Sequence, residues 1–247
     1  MVPVQTAALV LTGVLDYTHT IVCQHGARNV IIIDKQIVIL HVRKSGGTSF
    51  CGKLVELLPE ERIEFYGYTV EGEERSRVSS QSGGLGKHDG VRSYLERAPQ
   101  DVVDPTIIVV SARSHIDRVG SYYEFSKRRF AQGATAYSWA AEMSFSDYLR
   151  SDQINREKLS DFSTDAEGKV AVHHIVPYEE IDARFSSLAK HLGFPKAILP
   201  KKNTNKAREL PYSAMFNEDD LAFTNQLFRD EISFLAENKN LLADWPF

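Results

Sequence analysis

Strands that alternate with helices predict a three-layer α/β fold, with a mostly parallel central sheet and helices on both faces. Three observations carry that expectation. First, β-branched apolar runs recur at residues 36–42, 106–111 and 169–176, each too continuously hydrophobic for a strand with one wet face. Second, segments of helical periodicity follow them, at residues 48–58, 115–129 and 179–192. Third, no internal repeat breaks the chain, and 247 residues suit one large domain.

Each element has its own local justification. Residues 29–33 and 36–42 flank Asp34-Lys35 and read as two strands or one interrupted strand. Residues 48–58 place Phe50, Leu54, Leu57 and Leu58 at helical spacing and stop at Pro59. Residues 63–70 form an aromatic-rich strand. The charged, serine- and glycine-rich stretch 71–87 reads as a mobile loop. A short helix at 90–97 precedes the strand at 106–111 and the helix at 115–129. Residues 139–150 and the polar stretch after them look helical, as does 179–192 behind the strand at 169–176. One long helix is expected at 217–238, with Leu221, Leu227, Phe228, Ile232 and Leu235 as its apolar stripe.

Composition narrows the function classes. The chain is 43% hydrophobic and 25% charged, ordinary for a soluble globular protein, and its net charge of −4 offers no whole-chain argument for binding nucleic acid. Residues 2–14 are mostly apolar, but no Lys or Arg occurs before Arg28 and the run is too short for a membrane span. Residues 1–28 are therefore set apart as an N-terminal extension without an assigned role, and 29–247 as the single functional domain. A cytoplasmic protein without a membrane anchor is expected. Cys23 and Cys51 form no metal-like spacing and imply no disulfide framework, and Cys51 reads as a buried thiol.

The chemistry concentrates in residues 36–50, QIVILHVRKSGGTSF. An apolar strand runs into a basic turn with paired glycines, and hydroxyl residues open the helix. Free N–H groups at a helix start converge on one point, and the helix dipole favours negative charge there. Gly46 and Gly47 let the backbone approach a ligand, Lys44 adds a point charge, and Thr48 and Ser49 add hydroxyl donors. The expected guest is a phosphate or a sulfate. A Walker A loop places its lysine after the second glycine. Here Lys44 precedes the pair, so that pattern fails even though the cradle is P-loop-like.

The order K-[ST]-G-G-T-S behind His-Val resembles the 5′-phosphosulfate loop of sulfotransferases. The resemblance is to the carbohydrate branch, which includes the heparan sulfate 2-O- and 6-O-sulfotransferases and bacterial relatives. Its usual pattern is H-[IV]-P-K-[TS]-[GA]-G-T-S, and residues 41–49 match it except that Arg43 replaces the proline. A second stretch, VVSARSHIDRVGSYYEF at 109–125, resembles the family's [VT]-x-R-[DN]-P-x-x-R-x-x-S-x-[YF], with Ser114 and His115 in place of Asp-Pro.

The resemblance implies a transferase that moves a sulfonate group from 3′-phosphoadenosine 5′-phosphosulfate (PAPS) to a hydroxyl of a carbohydrate or small-molecule acceptor. No metal is expected. The donor would be held by Arg43, Lys44, Ser45, Gly46, Gly47, Thr48 and Ser49 at its 5′ end. Arg113 and Ser121 would take the 3′-phosphate, and Lys202 of the lysine-rich loop 199–206 would cover it. Lys44 would also steady charge on the departing phosphate. For the general base the expected residue is His88 in GLGKHDGVRSYL, with His115 its nearest competitor. Arg118 reads equally as a ligand residue or a salt-bridge partner. His41 reads as structural, and one of His173 and His174 is expected to face the core. Lys127, Arg128 and Arg129 either meet an acidic acceptor or decorate a helix end. Two other classes remain open: a P-loop-like nucleotide kinase, and a non-catalytic nucleotide-binding relative.

Overall fold

Ile33 and Gln36 close a two-residue hairpin, and that turn decides how the sheet begins. Asp34 and Lys35 both adopt positive φ, 49° and 58°, as a type I′ turn requires, and the Gln36 N–H donates to the Ile33 carbonyl at 2.9 Å. The apolar run at the start is thus two antiparallel strands, β1 (Val30–Ile33) and β2 (Ile37–His41). The computed structural model describes residues 30–85, 89–200 and 210–247, so the expectations for residues 1–29, for His88 and for Lys202 lie outside the described residues.

The strands β3 (Ile63–Tyr66), β4 (Thr106–Ala112) and β5 (His174–Pro177) complete a five-stranded sheet of order β3-β1-β2-β4-β5. β1 runs antiparallel to both β2 and β3, whereas β2–β4 and β4–β5 are parallel. The sheet is mixed, not the mostly parallel one expected, because the tight hairpin reverses the chain where a helical crossover would have kept its direction.

Eleven helices surround the sheet among the described residues. They are α1 (Gly47–Leu57), α2 (Val70–Gln81), α3 (Val91–Arg97), α4 (His115–Ala131), α5 (Trp139–Glu142) and α6 (Phe145–Arg150). After these come α7 (Leu159–Ser163), α8 (Ile181–His191), α9 (Glu218–Leu227), α10 (Arg229–Glu237) and α11 (Asn240–Ala243). None is long and apolar enough to cross a membrane.

Alternation along β4 shows why the strands are apolar throughout. Ile107 and Val109 face one layer with Val91, Tyr94, Phe162 and Phe234, while Ile108 and Val110 face the other with Phe50, Leu54, Phe185 and Leu188. Each fully buried aliphatic side chain is worth about 1.5–3 kcal/mol, so both faces demand one. A satellite cluster of Val119, Tyr123, Tyr148, Leu149 and Phe228 seats α4 and α6 beside the sheet.

Several elements differ from expectation for local reasons. The stretch read as a mobile loop is largely helix α2. Thr69 Oγ1 accepts the Gly72 N–H at 3.0 Å, and Arg75–Glu71 and Arg77–Glu74 pair along it. Only Gly72 and Ser76 of α2 are buried, so no apolar stripe marks it. The long helix at 217–238 breaks at Phe228, whose backbone leaves helical geometry. Residues 139–150 divide in the same way into α5 and α6.

Arg118 is a structural ion. It is buried, its Nη2 donates to both Glu231 oxygens at 2.6 Å, and its Nη1 donates to the Glu157 carbonyl at 3.1 Å. Glu231 Oε2 also accepts the Leu159 N–H at 2.6 Å. Helix α10 thereby clamps α4 to residues 157–159. Removing one partner of such a pair strands a charge, which costs about 3–5 kcal/mol, whereas replacing both by apolar groups is tolerated. Arg118→Met is therefore expected to lose several kcal/mol in urea denaturation, and Arg118→Met/Glu231→Leu to recover most of it. A single variant of native stability would refute the structural assignment.

Candidate functional site

The parallel strands β2, β4 and β5 all point their carboxyl ends at one edge of the sheet, where α/β proteins place their ligands. Residues 42–46 leave β2 there, Arg113 leaves β4, and the turn Tyr178–Glu180 leaves β5. The candidate site is built from these three departures and from one face of α4.

The loop backbone is shaped by two left-handed residues, Lys44 at φ 64° and Gly46 at φ 83°. Gly46 is the N-cap of α1, and no side chain caps that helix, so its opening N–H groups are left for water or an anion. A Cβ on Gly47 would stand 2.0 Å from the His41 ring, and one on Gly46 would stand 3.1 Å from Tyr178. The glycine pair is thus also required by what lies beneath it. Thr48 is exposed and Ser49 half-buried at the start of α1.

Ser45 has another task. It is fully buried, its hydroxyl donates to the Val42 carbonyl at 2.5 Å and accepts the Ser111 N–H at 3.1 Å, and Ser111 Oγ donates to the Ser45 carbonyl at 2.5 Å. Its side chain ties the loop to the end of β4 and points away from solvent. Arg113 adds a second tie. Its Nη1 donates to the Lys44 carbonyl at 3.1 Å, and its guanidinium lies 4.6 Å from the Tyr178 ring and 5.5 Å from the Tyr212 ring. The two sequence motifs therefore meet through the Ser45–Ser111 and Arg113–Lys44 hydrogen bonds.

Lys44 is the electrostatic centre. Its ammonium sits 4.2 Å from the centre of the Phe125 ring. Burial above all, and then the charges of Arg128, Arg113 and Arg43, push its pKa down to about 8. Phe125 follows Ser121 by four residues, so the two share one face of α4, and Ser121 is buried there. Gly120 beside it carries the Tyr212 ring, which a Cβ would meet at 2.8 Å. Arg128 is exposed in the last turn of α4, as a solvated helix end would have it, and its charge also reaches Lys44. Lys127 lies 5.4 Å from the Tyr123 ring, and Arg129 donates to Gln132 at 3.3 Å.

Arg43 faces the other way. Its Nε is 2.9 Å from Glu157 Oε1, and its backbone N–H donates to Glu157 Oε2 at 3.2 Å. A cavity of about 500 Å³ opens behind it, lined also by Tyr122, by residues 152–157 and by Gly90. Sequence reasoning missed Glu157. A lone glutamate in a polar stretch carries no periodic signal, and only the fold brings it 114 positions back to Arg43.

The described histidines are committed elsewhere. His41 is buried beneath Gly47 with its Nδ1 3.3 Å from the Tyr68 hydroxyl. His115 holds Asn225 at 2.9 Å and stacks on Phe228, so its imidazole serves the α4–α9 contact. His173 Nδ1 accepts the Ile107 N–H at 2.9 Å, while His174 donates to the Asp244 carbonyl at 2.9 Å. Neither of that pair is in the core: His173 is exposed and His174 half-buried, because β5 begins only at His174. Cys51 is buried, and burial pushes its thiol up to about 12, which leaves it inert.

No family model, no curated protein and no solved structure matches this chain.

The depressed lysine sets a stability test. Below about pH 8 the folded and unfolded chains both hold the Lys44 proton, and the full penalty of burying that charge stands. Between about 8 and 10.5 only the unfolded chain holds it, so this group's contribution to stability rises with pH. Lys44→Met is expected to stabilise the protein at pH 7, by up to about 3 kcal/mol. The gap to wild type should narrow toward pH 10. Urea denaturation at pH 7 and 9.5 reads both; destabilisation at pH 7 would contradict the assignment.

Proposed function

We propose that this chain is a P-loop-like, PAPS-dependent sulfotransferase that acts on a hydroxyl acceptor. The observation that carries the proposal is the joining of the glycine loop to Arg113 around Lys44, whose ammonium has no carboxylate partner among the described residues. Cations gathered beside an uncapped helix start, with Lys44 desolvated among them, fit an anion of more than one charge. Arg113 Nε is buried without a hydrogen-bond partner, an unfilled donor of the kind a phosphate oxygen satisfies. The family resemblance of residues 41–49 and 109–125 selects PAPS among such anions.

PAPS would supply an activated sulfonate. Lys44 and the N–H groups opening α1 would hold the 5′-phosphate, with Thr48 and Ser49 as hydroxyl donors, while Arg113, Arg128 and Ser121 would take the remaining charge. As the acceptor oxygen bonds to sulfur and the bond from sulfur to the phosphate oxygen breaks, Lys44 stabilises the charge left on phosphate. The hydroxyl proton goes to a base, for which we propose His88. Gly90, two positions on in the chain, lines the cavity behind Arg43.

The first test is ligand-dependent thermal unfolding. Adenosine 3′,5′-bisphosphate is expected to raise Tm, and ATP with magnesium to leave it nearly unchanged. The reverse order would favour the kinase reading, and no shift from either would end the nucleotide assignment. Affinity should weaken as pH rises through about 8, where Lys44 loses its charge, and Lys44→Met should abolish that slope. A second test isolates the base. His88→Ala is expected to keep bisphosphate binding and to lose about 10²–10⁴-fold in transfer from labelled PAPS; undiminished turnover would remove His88 from the mechanism.

A further inference from the structure

The cavity behind Arg43 differs from the phosphate cradle in kind. Its volume of about 500 Å³ falls within the ~300–1,000 Å³ typical of small-molecule sites. Arg43 belongs to its wall and directly precedes Lys44, so the cavity and the cradle adjoin. Tyr122, three residues before the Phe125 that meets Lys44, contributes an aromatic face on the same side.

Charge separates the two spaces. In the cradle Lys44, Arg113 and Arg128 crowd together. In the cavity Arg43 is neutralised by Glu157 at 2.9 Å, and Arg156 lies 3.8 Å from Asp152 at an exposed rim. Asp161 remains, with no ionic partner among the described residues. Among the described residues the lining therefore carries three carboxylates against two guanidinium groups, a net charge of one negative. Lys127 and Arg129, the cations first associated with an acidic acceptor, are not part of it.

Its neutral groups favour hydroxyls. Gln153 and Asn155 offer paired donors and acceptors, and Tyr122 offers a flat surface. Asn155 is 7% exposed, and its Nδ2 is buried without a hydrogen-bond partner.

We propose that this cavity is the acceptor subsite and that it takes a neutral or amine-bearing polyhydroxyl compound, with Asp161 as the residue that rejects anionic acceptors. The assignment as an acceptor subsite rests on the sulfotransferase reading, but the preference for uncharged or cationic polyols is a property of the lining itself. A carboxylate in the lining repels uronic or sulfated groups and attracts an ammonium.

The full chain should be offered labelled PAPS with three β-1,4-linked disaccharides: cellobiose, the glucosamine dimer, and a dimer containing glucuronic acid. The glucosamine dimer and cellobiose are expected to be sulfated at least about ten-fold more efficiently than the acidic dimer. Asp161→Asn should lower the ratio of amine-bearing to neutral turnover by about ten-fold, and Asp161→Lys should shift preference toward the acidic dimer. Preference for the acidic dimer by the wild type, or a ratio unmoved by Asp161→Asn, overturns the proposal. Calorimetric titration of the sugars alone separates this result from a failure of the donor reading. Glucosamine-dimer binding that weakens in Asp161→Asn upholds the cavity's preference even if adenosine 3′,5′-bisphosphate does not bind, and absence of sugar binding together with absence of transfer refutes it.

Discussion

The buried carboxylates Glu157 and Glu231 hold the candidate site together. Glu231 receives both prongs of Arg118 and the N–H of Leu159, while Glu157 receives the backbone and guanidinium of Arg43. Arg118 closes the circuit through the Glu157 carbonyl. The turn after β2, the middle of α4, the segment before α7 and helix α10 are locked together by these four charged residues. In a buried setting each charge needs its partner, so the arrangement is held all or none. The loop of residues 42–46 and the cavity behind Arg43 inherit their spacing from that lock.

Inside this frame the cradle is deliberately unbalanced. Lys44 is buried against Phe125 with arginines nearby, and burial first, then their charges, lowers its pKa to about 8. A structural lysine would have been given a carboxylate. Hydrogen bonds from Ser45, Ser111 and Arg113 fix the backbone of the loop that carries Lys44.

The site was partly legible from residue order. The loop holding Lys44, Gly46 and Gly47 was legible because a strand, a glycine pair and a helix start are local features, and Arg113 was legible as the residue that directly follows a buried strand. Ser45 was assigned to the ligand but faces the protein, since nothing in residue type tells which way a hydroxyl turns. Arg43, Arg118 and Arg128 look alike in sequence. One pairs with Glu157, one with Glu231 and one acts on Lys44, and those partners come from elements 39 to 114 positions apart or from packing of α4 on the loop.

Residue order by itself determined the α/β class, the apolar strands and the helices whose stripe meets a core, because those depend on periodicities of two and 3.6 within a short window. It also placed Lys44, Gly46 and Gly47 in the loop between a strand and a helix start. Tertiary structure alone decided the direction of β1, the helical state of the polar α2, the break at Phe228 and the division of charge between cradle and cavity. The reason is physical. Sheet direction follows from the turn geometry of Asp34-Lys35, a surface helix is held by caps and ion pairs without an apolar stripe, and the electrostatics of a buried charge are set by neighbours far away in the chain.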